Sequence, residues 1–136
     1  MIEQVHPNFI QQVWPKVAPL LARPFNILGD EYYSLAQLKA LISSGEQFLF
    51  IVSASGETLD GAFTIAIQQY PNKRVAFVTA LGGRDVVTPD AFEELKAWAK
   101  SYGCTDIQGM VRESVARLME NRLHVKRKHI VMEFKL

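Results

Sequence analysis

The chain has 136 residues, 49% apolar and 21% charged, with a formal net charge of +1; this is enough for one buried core and excludes a global pull toward nucleic acid or an anionic membrane. Cys104 is the single cysteine, so an internal disulfide is excluded, and the three histidines show no ligand spacing with it, so no metal is expected. No apolar run approaches the roughly 18 residues of a membrane span, and Met1–His6 lacks the basic-then-apolar pattern of a signal peptide, so a cytoplasmic setting without a membrane partner is expected.

Ile2 to Val5 alternates and predicts a short first strand. Asn8, after Pro7, is a candidate cap for a helix carrying Phe9, Ile10, Val13, Trp14, Val17, Leu20 and Leu21 at helical spacing. Pro15 and Pro19 fall inside it and predict a kinked or interrupted helix. Arg23 to Asp30 reads as a loop. Ser34 suits the cap of a second helix, Leu35 to Ser43, which Gly45 ends.

Three apolar runs follow, Phe48 to Ser53, Gly61 to Gln69 and Arg74 to Leu81. The turns between them, Ser55-Gly56-Glu57 and Tyr70-Pro71-Asn72-Lys73, are short, which predicts an antiparallel meander. Thr88-Pro89-Asp90 then opens a helix: a capping hydroxyl, a proline at the first helical position, and carboxylates toward the positive end of the dipole. Phe92, Leu95, Ala99 and Tyr102, with Trp98 beside them, mark its buried stripe, and Gly103 stops it. Asp106 to Val111 reads as a fifth strand. Ser114 is the expected cap of a short helix through Arg122. Ile130, Met132, Phe134 and Leu136 alternate with Val131, Glu133 and Lys135, predicting a closing strand.

The resulting order is β-α-α-β-β-β-α-β-α-β over residues 1–136, read as a single domain of the α/β (α+β) class. A meander followed by strand–helix crossovers implies a central mixed, mostly antiparallel sheet with helices on both faces. This order resembles the GNAT family, the Gcn5-related N-acetyltransferases. The segments "ALGGRD", "LKAWAKSYGC", "GMVRESVARLM" and "VMEFKL" resemble, more narrowly, small GNAT-like proteins of tailed bacteriophages and prophages. The resemblance implies acetyl transfer from acetyl-CoA to an amine acceptor, a small molecule or a protein, by direct attack on the thioester. It also implies a cofactor site along Thr79, Ala80, Leu81, Gly82, Gly83 and Arg84, and an acceptor site shaped by the loop that holds Phe25, Asp30, Tyr32 and Tyr33. The alternative it implies is a catalytically inactive binding module, a virion component or phage–host interaction protein with phage virion partners, located in the phage particle rather than the bacterial cytoplasm.

The residues at the family's positions pull two ways. Gly82 and Gly83 permit close backbone approach, and Arg84 can pair with a phosphate. Counted back from Ala99 and Gly103, however, the family's second phosphate-loop glycine falls near Val87 or Thr88, so the acetyl-CoA pyrophosphate loop is degenerate. Asp85, Asp90, Glu93 and Glu94 place carboxylates where the anion would sit; like charges at ~4–6 Å oppose each other by about 1–4 kcal/mol near a surface. The competing reading is a turn with a self-capped helix start. The family's leaving-group Tyr corresponds to about Met119, which cannot donate a proton. Glu46, Asp60 and the acidic tract Asp30-Glu31 are candidate bases, each also readable as a solvated turn residue. Arg122 to His129 is basic but has no interleaved aromatics, so a solvated loop is expected there rather than a nucleic-acid contact.

Overall fold

The structure is a computed structural model that describes residues 1–22 and 32–136. The elements are β1 (Ile2–Val5), α1 (Ile10–Leu21), α2 (Leu35–Ser43), β2 (Gln47–Val52), β3 (Gly61–Gln69), β4 (Arg74–Gly83), α3 (Pro89–Ser101), β5 (Asp106–Gly109) and α4 (Glu113–Leu123), with a one-turn 3-10 helix at Pro7–Phe9. The strands form one sheet in chain order, β1 to β5. The first three pairings are antiparallel and β4–β5 is parallel, the mixed sheet expected from the spacing of the elements.

Each face of the sheet has its own core. Alternation along β2 sends Leu49 to one face and Phe50 and Val52 to the other. On the first face α1 and α2 press Ile10, Val17, Leu21, Leu38 and Ile42 onto Leu49, Ala62 and Ala80. On the second, Leu95 and Ala99 of α3 cover Phe50, Phe63, Ile65 and Leu81. Phe50 stacks on Phe63, with centroids 5.0 Å apart, and meets Trp98 edge-on at 4.8 Å.

The helix starts show which local signals act. Ser34 and Gln37 form a reciprocal capping box, Gln37 N donating to Ser34 Oγ at 3.1 Å and Ser34 N to Gln37 Oε1 at 2.9 Å. Asn8 is not the cap of α1. His6 accepts from Asn8 N through Nδ1 at 3.1 Å, and α1 starts without a side-chain cap. Nor do the prolines interrupt α1, which runs unbroken across them. Pro15 and Pro19 are four residues apart on its exposed side, where water can reach the carbonyls of Gln11 and Pro15 that lose their donors. Ser114 is not the cap of α4 either; the cap position is Arg112, two residues earlier.

Three strand expectations also change. β5 ends at Gly109 rather than Val111. β4 extends past Leu81 through Gly83, because Gly82 and Gly83 pair with Ala62 and Gly61 of β3. The strand expected at Ile130–Leu136 is not formed within the chain. Residues 124–136 follow α4 without regular secondary structure, and the expected alternating apolar residues stand out in solvent.

Candidate functional site

β5 pairs with β4 only from Val75 to Val78, its last partner being Gly109 opposite Val78. β4 runs on to Gly83 without it. The two parallel strands therefore part at Val78, and the segment Thr79–Gly83 borders the gap. The register break between Thr64 and Ile65 of β3 lies at the same height, with Ala80 opposite Thr64 and Val78 opposite Ile65. Thr79 is thus the extra residue of a β-bulge, which bends β4 where the strands diverge. α3 starts six residues beyond Gly83.

Thr79, Ala80 and Leu81 all have buried side chains. Ala80 belongs to the first core and Leu81 to the second, so only backbone atoms of these residues can face a ligand in the gap.

Gly82 and Gly83 are adjacent, but packing accounts for both. A Cβ on Gly82 would lie 1.9 Å from the carbonyl oxygen of Leu20 in α1, and one on Gly83 would lie 2.4 Å from that of Asp60. Gly83 also has φ +94°, a region that disfavours a side chain. Both are closed in by the protein's own backbone.

Past Gly83 the chain turns through Asp85, at φ 59°. Thr88 Oγ1 accepts from Ala91 N at 3.2 Å, filling one donor of the α3 N-terminus. Pro89 removes another, and Phe92 N donates to Thr88 O. The helix start is capped as the sequence predicts. Arg84 is exposed, and its backbone N–H donates to Asp60 O at 2.7 Å. Arg122 of α4 reaches over to Val87 O at 3.2 Å.

Of the expected carboxylates, Glu94 turns away to accept from Ile2 N at 3.1 Å, and Glu93 pairs with Lys96. Asp85 and Asp90 remain exposed near the helix start. Asp60 is a turn residue, accepting from Ala54 N at 2.8 Å and Thr58 Oγ1 at 3.2 Å. Met119 packs its thioether against the second core. Of the residues expected to shape an acceptor site, Tyr33 packs against the first core and Tyr32 is 48% exposed. Phe25, Asp30 and Glu31 lie outside the described residues.

The basic segment is tied down by carboxylates. Arg127 donates both terminal nitrogens to Glu113, at 2.7 and 2.8 Å, and its Nε to Glu120 at 3.1 Å. The Arg127 guanidinium holds the Glu113 carboxyl below its ordinary range. A hydrogen bond from Thr105, then Lys73, does the same to Asp106. No cluster of three His, Cys, Asp or Glu side chains that could hold a metal ion occurs among the described residues. Among those residues no helix is long and apolar enough to cross a membrane.

One polar group at the bulge escaped the sequence reading. Gln47, Thr64 and Thr79 are all buried. Thr79 Oγ1 donates to Gln47 Oε1 at 2.7 Å and lies 2.7 Å from Thr64 Oγ1. Because that single hydroxyl proton goes to Gln47, Thr64 must be the donor of the second bond. Two threonines inside otherwise apolar runs, with Gln47 just before a third run, were the available signal. Thr79→Val keeps the shape but leaves the Gln47 carbonyl and the Thr64 hydroxyl short of a partner. The expected loss is about 1–3 kcal/mol, read as a lower urea midpoint at unchanged slope, and Gln47→Leu in the same chain should recover part of it.

No family model matches the sequence, and neither does any curated protein. Solved structures do match. A variant of the BH1408 protein from Bacillus halodurans has a TM-score of 0.71 at 12% identity, with 100% of this chain and 99% of that one covered. An aminoglycoside antibiotic 6′-N-acetyltransferase from Acinetobacter baumannii has a TM-score of 0.67 at 16% identity, covering 100% and 97%. An aminoglycoside acetyltransferase from an uncultured soil metagenomic sample, solved with sisomicin, has a TM-score of 0.67 at 13% identity, covering 100% and 95%. At these identities the likeness is one of fold, and the fold is GNAT-like.

Proposed function

We propose that the protein transfers an acetyl group from acetyl-CoA to an amine. The parting of β4 from β5 beyond Val78 carries this reading. It opens a slot bordered by backbone rather than by side chains, suited to an extended amide-bearing arm such as pantetheine. The slot ends at the start of α3, where the helix dipole favours an anion. Acetyl-CoA would lie along Thr79 to Arg84 with Arg84 free to turn toward phosphate, and the amine would enter from the side of Tyr32 and Tyr33. The amine nitrogen would attack the thioester carbon as the carbon–sulfur bond breaks and the thiolate leaves, with the amine proton passing to water. Met119 supplies no acid, so the thiolate is protonated from solvent. The two aminoglycoside acetyltransferases of the same fold support an amine as the acceptor class.

A thermal melt tests the proposal, since a ligand bound only by the native state raises the midpoint. At a hundredfold excess over its dissociation constant, acetyl-CoA adds about 2.7 kcal/mol, on the order of 9 °C for a chain of this size. Arg84→Ala should reduce that shift and Lys126→Ala should leave it. No shift at millimolar acetyl-CoA sinks the reading.

A second reading, a binding module that kept the fold without the chemistry, is favoured by the glycine pair. Both glycines are filled from behind by Leu20 and Asp60, and the helix start is capped by Thr88. A flat melt with acetyl-CoA is its expected result.

A further inference from the structure

We infer that Gln47 is a positioning residue for the slot. Acting through Thr79, it sets which residue of β4 is the extra one in the bulge, and so where β4 bends away from β5. The bulge follows directly on the last β4–β5 pair, Val78 with Gly109. Moving it by one residue therefore moves the peptide groups that border the gap.

The cores require a bulge but do not locate it. Val78 and Leu81 both belong to the second core. In a regular strand, residues three apart face opposite ways, so one extra residue must lie between these two. Thr79 and Ala80 are the candidates. Ala80 stands opposite Thr64 and Val78 opposite Ile65, which leaves Thr79 as the extra residue. A strand with Thr79 opposite Thr64 and Ala80 extra would keep Val78 and Leu81 on their shared face. Apolar packing alone separates the two arrangements only weakly, because each puts one small side chain opposite Thr64 and the other in the bulge.

Hydrogen bonding separates them. Gln47 opens β2 two residues before Leu49, and Thr64 stands opposite Leu49, so both side chains fall on the first face. Gln47, Thr64 and Thr79 are at most 5% exposed. Thr79 Oγ1 lies 2.7 Å from both Gln47 Oε1 and Thr64 Oγ1. Sliding the bulge by one residue brings Ala80, which has no hydroxyl, to the bulge position. The Gln47 carbonyl then loses its donor in a buried setting, a larger loss than the net worth of an ordinary bond. Buried polar groups that choose between otherwise similar apolar registers are the best-attested case of such groups giving specificity. Gln47 lies two strands away from β4 and acts on the slot only through Thr79. What this does to acetyl-CoA binding rests on the function proposed above; the choice of register does not.

Thr79→Ala makes the two candidates identical. Its backbone amide spectrum should show doubled or exchange-broadened signals confined to Thr64–Ile65 and Val78–Leu81, where the parent chain shows one set. Gln47→Leu keeps the Thr79 hydroxyl but removes its acceptor, and should do the same. Thr79→Ser keeps the hydroxyl and should keep one set. By titration calorimetry, Gln47→Leu should weaken acetyl-CoA by about tenfold or more, as small displacements of a binding frame do. If Gln47→Leu does not fold, Gln47→Met, closer in length, is read in the same way. A single set of signals in the Gln47 variant overturns the inference, whatever Thr79→Ala shows. So do doubled signals with unchanged acetyl-CoA affinity, since the bulge would then not place the slot. If the parent chain itself binds no acetyl-CoA, the proposed function fails, and the amide signals of Gln47→Leu still decide whether Gln47 holds the register.

Discussion

Gly82→Ala is expected to destabilise the ligand-free protein by about 3 kcal/mol or more, the upper end of what forced overpacking costs, and to lower its melting midpoint by roughly 10 °C. The added methyl would lie 1.9 Å from the Leu20 carbonyl oxygen and 2.8 Å from its carbon. Both atoms belong to the backbone of α1, so no rotamer change relieves the contact. The helix must lift, and it carries Val17 and Leu21 out of the first core with it. Gly45→Ala is the control. Its Cβ would meet nothing within 4 Å, although its φ is +82°, so the cost is confined to the left-handed backbone, about 1–2 kcal/mol. If Gly82 served as a phosphate cradle instead, alanine would weaken ligand binding and leave the ligand-free melt where it was. An unchanged melt would overturn the packing account.

That contrast shows where sequence reasoning reaches and where it stops. A glycine pair between strand and helix is visible in the sequence, but whether a ligand or another part of the chain approaches it depends on a contact 62 residues away between Gly82 and Leu20. Local signals fared well where the partner was also local. Ser34 with Gln37, and Thr88 with Ala91, cap their helices as their spacing predicts. The apolar runs of β2, β3 and β4 supply both cores because each face of the sheet is covered. Signals that depend on the surroundings failed. Pro15 and Pro19 do not interrupt α1, where they sit on its wet side. The alternation at Ile130–Leu136 describes a strand that finds no partner inside its own chain. The parting of β4 and β5 could not be read at all: β5 stops at Gly109 while the sequence keeps an apolar Val111 in register, and the Thr79 bulge is a mismatch between two strands rather than a property of either.

Phe50→Ala is expected to cost about 3–5 kcal/mol, a fall in midpoint of roughly 10–18 °C, with a change in Trp98 fluorescence. Phe50 is 1% exposed. It lies stacked on Phe63 and edge-on to Trp98, and Phe48 meets the same indole at 5.3 Å. Truncation removes a ring from between the sheet and α3, where close packing leaves neighbours little room to collapse. The cavity opens beneath α3, the helix that begins six residues after Gly83. The proposed cofactor site therefore depends on this core residue without being touched by it. At a temperature where Phe50→Ala is still folded, acetyl-CoA should raise its midpoint by less than it raises that of the parent chain, since the start of α3 is less firmly placed. Equal shifts would show that the aromatic cluster holds the fold but does not position the slot. A Phe50→Leu variant separates volume from ring geometry. It should recover much of the lost stability, while the Trp98 emission should stay altered because the edge-on contact is gone.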